Sequence, residues 1–214
     1  MNSSLTSTFY EVGGQRCSVL SQTWRNGAWS NTGLTTYTYD SSGHVLSAWR
    51  RLASGEGWRN SYLYSYTYDA AGNRRSYLRT RWVNDAWENS NFYTYTYDTR
   101  GNRLTSLTAR WEEGEWVKRS RTTNSYDPAG WVMMALRESL VDGELTVRSR
   151  TTYRRDSAGR TLTSLYENFD DGAWSNSSRA VISYDVEGHQ LSWTFEGWQD
   201  GDWLKLEQLD YAYD

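Results

Sequence analysis

The chain has 214 residues, enough for a sizeable buried core, and its 23 basic against 26 acidic side chains give a formal charge of −3, which argues against nucleic acid as a partner. A hydrophobic content of 37% and a mean hydropathy of −0.84 leave no run near the roughly 18 to 20 apolar residues of a membrane helix. The opening MNSSLTSTFYEVGG has no basic and then apolar pattern of a signal peptide, so any export signal is expected outside this chain. A single cysteine, Cys17, excludes an internal disulfide or a multi-thiolate metal site.

A partial lead-in strand is expected over residues 4–10, within a lead-in of residues 1–10, and a strict repeat follows over 11–214. Tyr-Asp recurs at Tyr39-Asp40, Tyr68-Asp69, Tyr97-Asp98, Tyr126-Asp127, Tyr184-Asp185 and Tyr213-Asp214, with Arg155-Asp156 in the one gap and Tyr10-Glu11 one step earlier. Every step is 29 residues, so seven whole repeats form one expected domain, ending at Asp214 on a repeat boundary without an evident polar cap. Such an ending hints at a longer array or at end-to-end assembly. Positions are counted below as offsets from each acid.

Gly stands at offset 3, as Gly14, Gly43, Gly72, Gly101, Gly130, Gly159 and Gly188. In Asp98-Thr99-Arg100-Gly101 the acid can bond the following backbone while Gly accepts the positive φ of a type I turn closed by a bulge. Pro128, the one proline, takes the second turn position, which favours it. The first strand of each repeat is expected over offsets 4–14 and the second over 17–28. They are joined by two-residue turns such as Asn26-Gly27 and Asp200-Gly201, the strongest short hairpin signal. Aromatic or apolar residues flank that turn at offsets 13 and 18, notably in the pairs Trp24 and Trp29, Trp82 and Trp87, Trp111 and Trp116, and Trp198 and Trp203. Each pair is expected directly opposite at a closely spaced position, resembling a tryptophan-zipper hairpin. The segments are rich in Thr, Tyr, Trp and Leu, which favour strands, and no helix is expected. The fold class is therefore all-β, an antiparallel meander of about 14 strands, open or coiled as a solenoid-like sheet, with a closed barrel as the alternative.

Continuing the hairpin pairing along both strands places the Trp pairs, the recurring Leu at offset 9 and the Tyr pair at offsets 26 and 28 on one face. The threonines Thr94 and Thr96 then fall on the other, beside Leu46, Leu104, Leu162 and Leu191 at offset 6. The same pairing sets Val19 opposite Leu34, Ala48 opposite Leu63 and Tyr77 opposite Phe92.

The segments YTYDTRGNRLTS (95–106) and YTYDAAGNRRS (66–76) resemble the YD repeat of bacterial Rhs-type proteins, and the match runs along the whole chain. The usual repeat of that family is shorter; this one adds the Trp hairpin. The resemblance implies large antiparallel sheets that coil as a spiral, in secreted or surface proteins that sometimes form shells around toxins.

Trp49, Trp131 and Trp193 lie off the repeat pattern and are candidate stacking platforms for sugar rings. Arg119, Arg121, Arg148, Arg150, Arg154 and Arg179, at offsets 21, 23 and 27, are expected as a stripe on the second face, either a track for an acidic polymer or a solvated face neutralised by nearby acids. The Trp pairs and the turn glycines are assigned to structure. His44 and His189 at offset 4 read as turn variants, and the single acids lack the clustered ligands of a calcium loop. Glu138, Glu167 and Glu196 share offset 11 and so form a ladder, unlike an acid and base pair. No nucleophile elbow, phosphate loop or HExxH motif is present. No catalytic residue, cofactor or metal is expected. The expected function is a non-enzymatic extracellular or cell-surface structural or adhesive array, with a glycan-binding module or a segment of a toxin-encapsulating shell as alternatives. Expected partners are glycans or an acidic polymer, and further copies at the sheet edges.

Overall fold

A computed structural model describes residues 3–213, and all of its regular structure is strand. Asp214 of the last Tyr-Asp pair lies outside the described residues. The lead-in is β1 (Ser4–Tyr10). The first three repeats form β2 (Arg16–Arg25) and β3 (Ala28–Tyr39), β4 (Val45–Ser54) and β5 (Gly57–Tyr68), and β6 (Arg74–Val83) and β7 (Ala86–Tyr97). Next come β8 (Arg103–Glu112) and β9 (Glu115–Tyr126), then β10 (Val132–Val141) and β11 (Glu144–Arg155). The last two repeats form β12 (Thr161–Asp170), β13 (Ala173–Tyr184), β14 (Gln190–Gln199) and β15 (Asp202–Asp210). The sheet order equals the chain order from β1 to β15. It is an open antiparallel meander, and the barrel alternative is not adopted. No helix among the described residues could cross a membrane. Residues group into two units, one reaching to Tyr95 and including Thr108–Val117, the other holding Thr96–Leu107 and continuing from Lys118.

Two kinds of turn set the register. Between the strands of a repeat, consecutive residues take positive φ, as at Asn26 (51°) and Gly27 (80°), Asn84 (49°) and Asp85 (58°), and Asp200 (53°) and Gly201 (92°), as a type I′ turn demands. Trp24 then faces Trp29, Trp82 faces Trp87, and Trp198 faces Trp203. Their rings meet edge to face at 5.3, 5.1 and 4.9 Å, and Trp111 meets Trp116 in the same way at 5.1 Å. Between repeats, the acid closes the turn. Asp69 Oδ1 accepts the N–H groups of Ala71 and Asn73, while Gly72 N–H donates to the Asp69 carbonyl. Those bonds hold the Asp69 carboxyl below its ordinary pKa, the Asn73 N–H contributing most.

The repeats of β2 to β7 and of β10 to β15 each carry two bulges, one on each strand. Thr38 pairs Ser47 but Tyr39 pairs Val45, which leaves Leu46 without an opposite residue. Leu162 and Leu191 are left out in the same way, so the recurring Leu at offset 6 is the extra residue of a turn-closing bulge. The second bulge falls at offset 21. Gln22 pairs Asn31 but Ser21 pairs Gly33, and the same slip skips Ser61, Ser90, Arg148, Ser177 and Leu206.

A one-residue slip in a strand moves every later side chain to the opposite face. The pairs are therefore Leu20 with Leu34, Trp49 with Leu63, and Leu78 with Phe92, while Val19 faces Thr35, Ala48 faces Tyr64, and Tyr77 faces Tyr93. The expected pairs of Val19 with Leu34, Ala48 with Leu63 and Tyr77 with Phe92 do not form. The Trp pairs share their face with the Leu at offset 9 and with Thr94 and Thr96, and the Tyr pairs occupy the other face.

Among the described residues the buried hydrophobic side chains are only Ala48 and Ala109, and no large side chain is less than 2% exposed. Among the described residues the strands of this sheet are the only regular structure, so no helix covers either face. Stability must come from cross-strand pairs, each contributing about 0.2–1 kcal/mol, with aromatic pairs adding about 0.5–1.5 kcal/mol beyond their burial. In a double-mutant cycle on Trp82→Ala and Trp87→Ala, thermal unfolding should report a coupling of about 0.5–1.5 kcal/mol; strictly additive losses would show that the pair does not staple its hairpin.

Candidate functional site

The turn edge is occupied by structural bonds. The Tyr before each acid reaches back 23 residues: Tyr39 Oη donates to the Arg16 carbonyl at 2.7 Å, Tyr68 to Val45 at 2.9 Å and Tyr126 to Arg103 at 2.8 Å. Arg155, which replaces Tyr in the one exception, donates Nη2 to the Val132 carbonyl at 3.3 Å and so keeps the same link. The residue at offset 4 bonds the second oxygen of its acid, as His44 Nδ1 does with Asp40 at 2.9 Å and Asn73 with Asp69 at 3.1 Å. It also lies over the glycine of the next turn. A Cβ on Gly72 would meet His44 at 2.9 Å, and one on Gly159 would meet the Trp131 ring at 2.7 Å. Trp131 thus occupies the ordinary offset-4 slot, 49% exposed, with the Arg155 guanidinium 5.7 Å from its ring centre. Asp185, Glu187 and His189 bring their ligand-type atoms within 4.8 Å of one another. The His189 contact to Asp185 at 3.0 Å repeats the turn bond of His44, and Glu187 is one additional exposed acid.

The Trp face carries the arginines that the uncorrected pairing places on the other side. Past the offset-21 bulge, Arg150 faces Glu167 and Arg179 faces Glu196, and Arg121 faces Glu138. Arg150 Nε and Nη2 donate to Glu167 at 2.6 and 2.7 Å, a two-point pair repeated between Arg121 and Glu138, and Arg179 bonds Glu196. The Arg150 and Arg179 guanidinium groups also lie 4.2 and 4.4 Å from the Trp174 and Trp203 ring centres. Glu138 and Glu167 are buried, so these cations are neutralised and already engaged. Arg148 is the bulge residue itself, exposed, with Asp170 at 4.0 Å. Arg119 sits at the same offset, half-buried, and Arg154 is exposed. In β3 and β5 the slot of Arg150 holds Leu34 and Leu63.

Trp49 also stands on the Trp face, opposite Thr36 and Leu63. Its Nε1 donates to Asn60 at 3.1 Å and Arg51 covers its ring at 4.3 Å. With Leu63, Trp87 and the hydroxyl-bearing Thr36, Thr38 and Ser47 it lines a shallow depression of about 270 Å³. Trp193 falls on the Tyr face, opposite Ile182 and Leu209, and stacks on Phe195 at 6.0 Å. The three off-pattern tryptophans therefore occupy three separate places.

The Tyr face of the first unit forms a site that the sequence pattern did not single out. Tyr77 on β6 stacks against Tyr66 at 5.4 Å and Tyr64 at 5.9 Å and meets Tyr93 at a tilt at 5.1 Å. These rings, with Tyr37, Tyr95, Arg16, Arg50 and Arg74, line an open groove of about 490 Å³. Arg16 lies over Tyr37 at 4.2 Å and Arg74 over Tyr95 at 5.1 Å. Burial pushes the Tyr77 hydroxyl up to about 12, helped by Tyr64 and Tyr66 and opposed by Arg79. Burial also raises Tyr66, against Arg74.

No family model matches the chain, and no curated protein does. Among solved structures it is similar to a DUF3836 family protein from Bacteroides vulgatus, at 22% identity over 41% of this chain and 90% of that one, with a TM-score of 0.36. A porin-like protein from Bacteroides uniformis matches at 12% identity over 95% of this chain and 86% of that one, with a TM-score of 0.42. The TcdB2-TccC3-TEV structure matches at 14% identity over 91% of this chain and 14% of that one, with a TM-score of 0.30. None of these likenesses bears on function.

Three outcomes test this geometry. Gly159→Ala should destabilise more than Gly143→Ala, because both need positive φ but only the first meets a ring; equal losses in urea unfolding would remove the Trp131 contact. Glu167→Leu alone should cost about 1–3 kcal/mol by leaving Arg150 unpaired, and adding Arg150→Leu should recover most of it; a double variant no better than the single would contradict the slot equivalence. Tyr77 holds its proton to about 12 when folded against 10.0 for an ordinary tyrosine. Its contribution to stability is therefore complete below pH 10 and lost as pH rises toward 12. The melting temperature of the native chain should fall faster than that of Tyr77→Phe over that window, and parallel curves would refute the shift.

Proposed function

We propose that this chain is a non-enzymatic structural or adhesive repeat array, working outside the cell or at its surface, of the YD-repeat kind that its Tyr-Asp turns resemble. The observation that carries this reading is the unbroken phase of the repeat along one antiparallel sheet. Every chemically capable side chain sits in a slot that recurs every 29 residues, and none is set apart by an insertion that would build a reaction chamber. Tyr, Asp and Gly serve the turn edge, and the Trp pairs serve the hairpins. What is left for function is surface, presented at regular intervals and suited to contacts that gain strength by repetition.

A second reading, a glycan-binding module, is favoured by the depression beside Trp49 and Trp87, where apolar ring surface meets threonine and serine hydroxyls. The experiment for the main reading removes one whole period, residues 128–156, and measures retention on immobilised surface polysaccharides. A distributed array should refold and bind in proportion to the repeats kept. Complete loss of binding with intact folding would instead locate one discrete site in that repeat. For the glycan reading, a screen followed by tryptophan fluorescence should give a saturable emission shift that Trp49→Ala abolishes; an unchanged shift would exclude the depression.

A further inference from the structure

We infer that the depression at Trp49 and Trp87 binds a neutral, extended glycan of the β-1,4-linked glucose type, laid across the strands. That ligand class rests on the glycan-binding reading and deepens it; the two fail separately, because a different sugar bound at Trp49 would overturn the first and keep the second.

Trp49 exceeds what the fold asks of its slot. Offset 9 holds Leu20, Leu78, Leu107, Leu136 and Leu165 in five other repeats, so a leucine is enough for packing there. The indole in its place is 36% exposed, and Trp87 is 38% exposed. The Trp49 ring is also held in position. Asn60 accepts its Nε1–H at 3.1 Å, and the Arg51 guanidinium lies 4.3 Å from the ring centre. A large exposed ring that is fixed in advance loses little freedom when a ligand stacks on it.

The lining sets the class of that ligand. Thr36, Thr38, Ser47, Trp49, Leu63 and Trp87 surround about 270 Å³, all within the first unit, and among the described residues no ionisable side chain lines the depression. The match is to an uncharged ligand with apolar faces and hydroxyls at its margin. Thr38 and Ser47 bond each other through their hydroxyls at 2.7 Å, and Thr67 and Ser76 repeat that pair two strands further on at 2.6 Å. Each pair uses one proton in its own bond and keeps a second proton and several lone pairs for a ligand.

Topology gives the direction and the linkage. The lining comes from β3, β4, β5 and β7, so the depression crosses the strands. Successive hydroxyl pairs are two strands apart, roughly 9 to 10 Å, which is close to the two-sugar repeat of an extended β-1,4-linked chain. Such a chain turns its ring over at each sugar, so both ring faces must suit an aromatic surface. In the glucose configuration every substituent is equatorial and both faces present C–H groups; the axial hydroxyl of mannose interrupts one of them. An α-1,4-linked chain coils and does not keep the spacing.

The test is calorimetric titration of the full chain with cellohexaose, with β-1,4-linked mannohexaose and with maltohexaose. Cellohexaose should bind saturably, about tenfold or more tighter than either comparison sugar. Trp49→Leu, which installs the residue of five other repeats, should keep the melting temperature and lower the affinity about tenfold or more. Trp193→Leu, on the Tyr face, should change it about twofold or less. If Trp49→Leu melts early, Thr38→Val removes a hydroxyl at nearly constant shape and should weaken cellohexaose about threefold or more. Three results would overturn the assignment: no saturable binding of cellohexaose, equal or tighter binding of mannohexaose or maltohexaose, or unchanged affinity in both Trp49→Leu and Thr38→Val. Should cellohexaose fail while another glycan binds in a way that Trp49→Leu abolishes, the glycan reading alone survives; should no glycan bind, both fall.

Discussion

In a sheet whose buried hydrophobic side chains, among the described residues, are only Ala48 and Ala109, a side chain finds its partners on its own face, so the register of each strand against its neighbours is the constraint from which all else follows. Here the register is set twice per repeat by turns. A two-residue turn at positive φ brings Trp opposite Trp, and an acid-closed turn with glycine three residues after the acid begins the next repeat. Each turn type is followed by a bulge, and the bulge at offset 21 assigns the second half of every long strand to a face. Without it, the tyrosines would share the Trp face and the two surfaces would lose their separate characters.

The two faces then solve the same problem by different chemistry. On the Trp face, a slot occupied by Leu34 and Leu63 in β3 and β5 is occupied by Arg121, Arg150 and Arg179 in β9, β11 and β13, with glutamate supplied opposite in each case. An isolated arginine there would be left half-buried without a partner; the paired exchange keeps the slot filled and neutral. On the Tyr face of the first unit, the rings of Tyr64, Tyr66, Tyr77 and Tyr93 gather beside Arg79, which bonds the neutral Ser90 and Asn91, while Arg81 pairs with Glu88.

Much of the architecture was legible from residues alone. The strand ends agree with those expected from the offsets, except that the first strand of each repeat begins one residue later and β15 stops at Asp210, three residues early, and the Trp pairs and glycine turns stand where the hairpin pattern places them. The turn histidines were legible too, because asparagine holds their slot elsewhere. The faces were not. The Trp turn by itself predicts an unbroken ladder, and the small residues Thr32, Ser61, Ser90 and Ser177 at offset 21 are the only trace of the bulge. The candidate arginines were consequently set apart from the glutamates that neutralise them, and the tyrosine groove went unseen.

By itself, the sequence determined the period, the strand class, both turns and the aromatic staples, since each depends on a few neighbouring residues and on the φ angles that Gly, Asn and Asp tolerate. Only the tertiary structure decided which side chains share a surface. Face membership is a parity, and one unpaired residue in a strand reverses it for every residue beyond, so a local pattern repeated faithfully seven times could not report it.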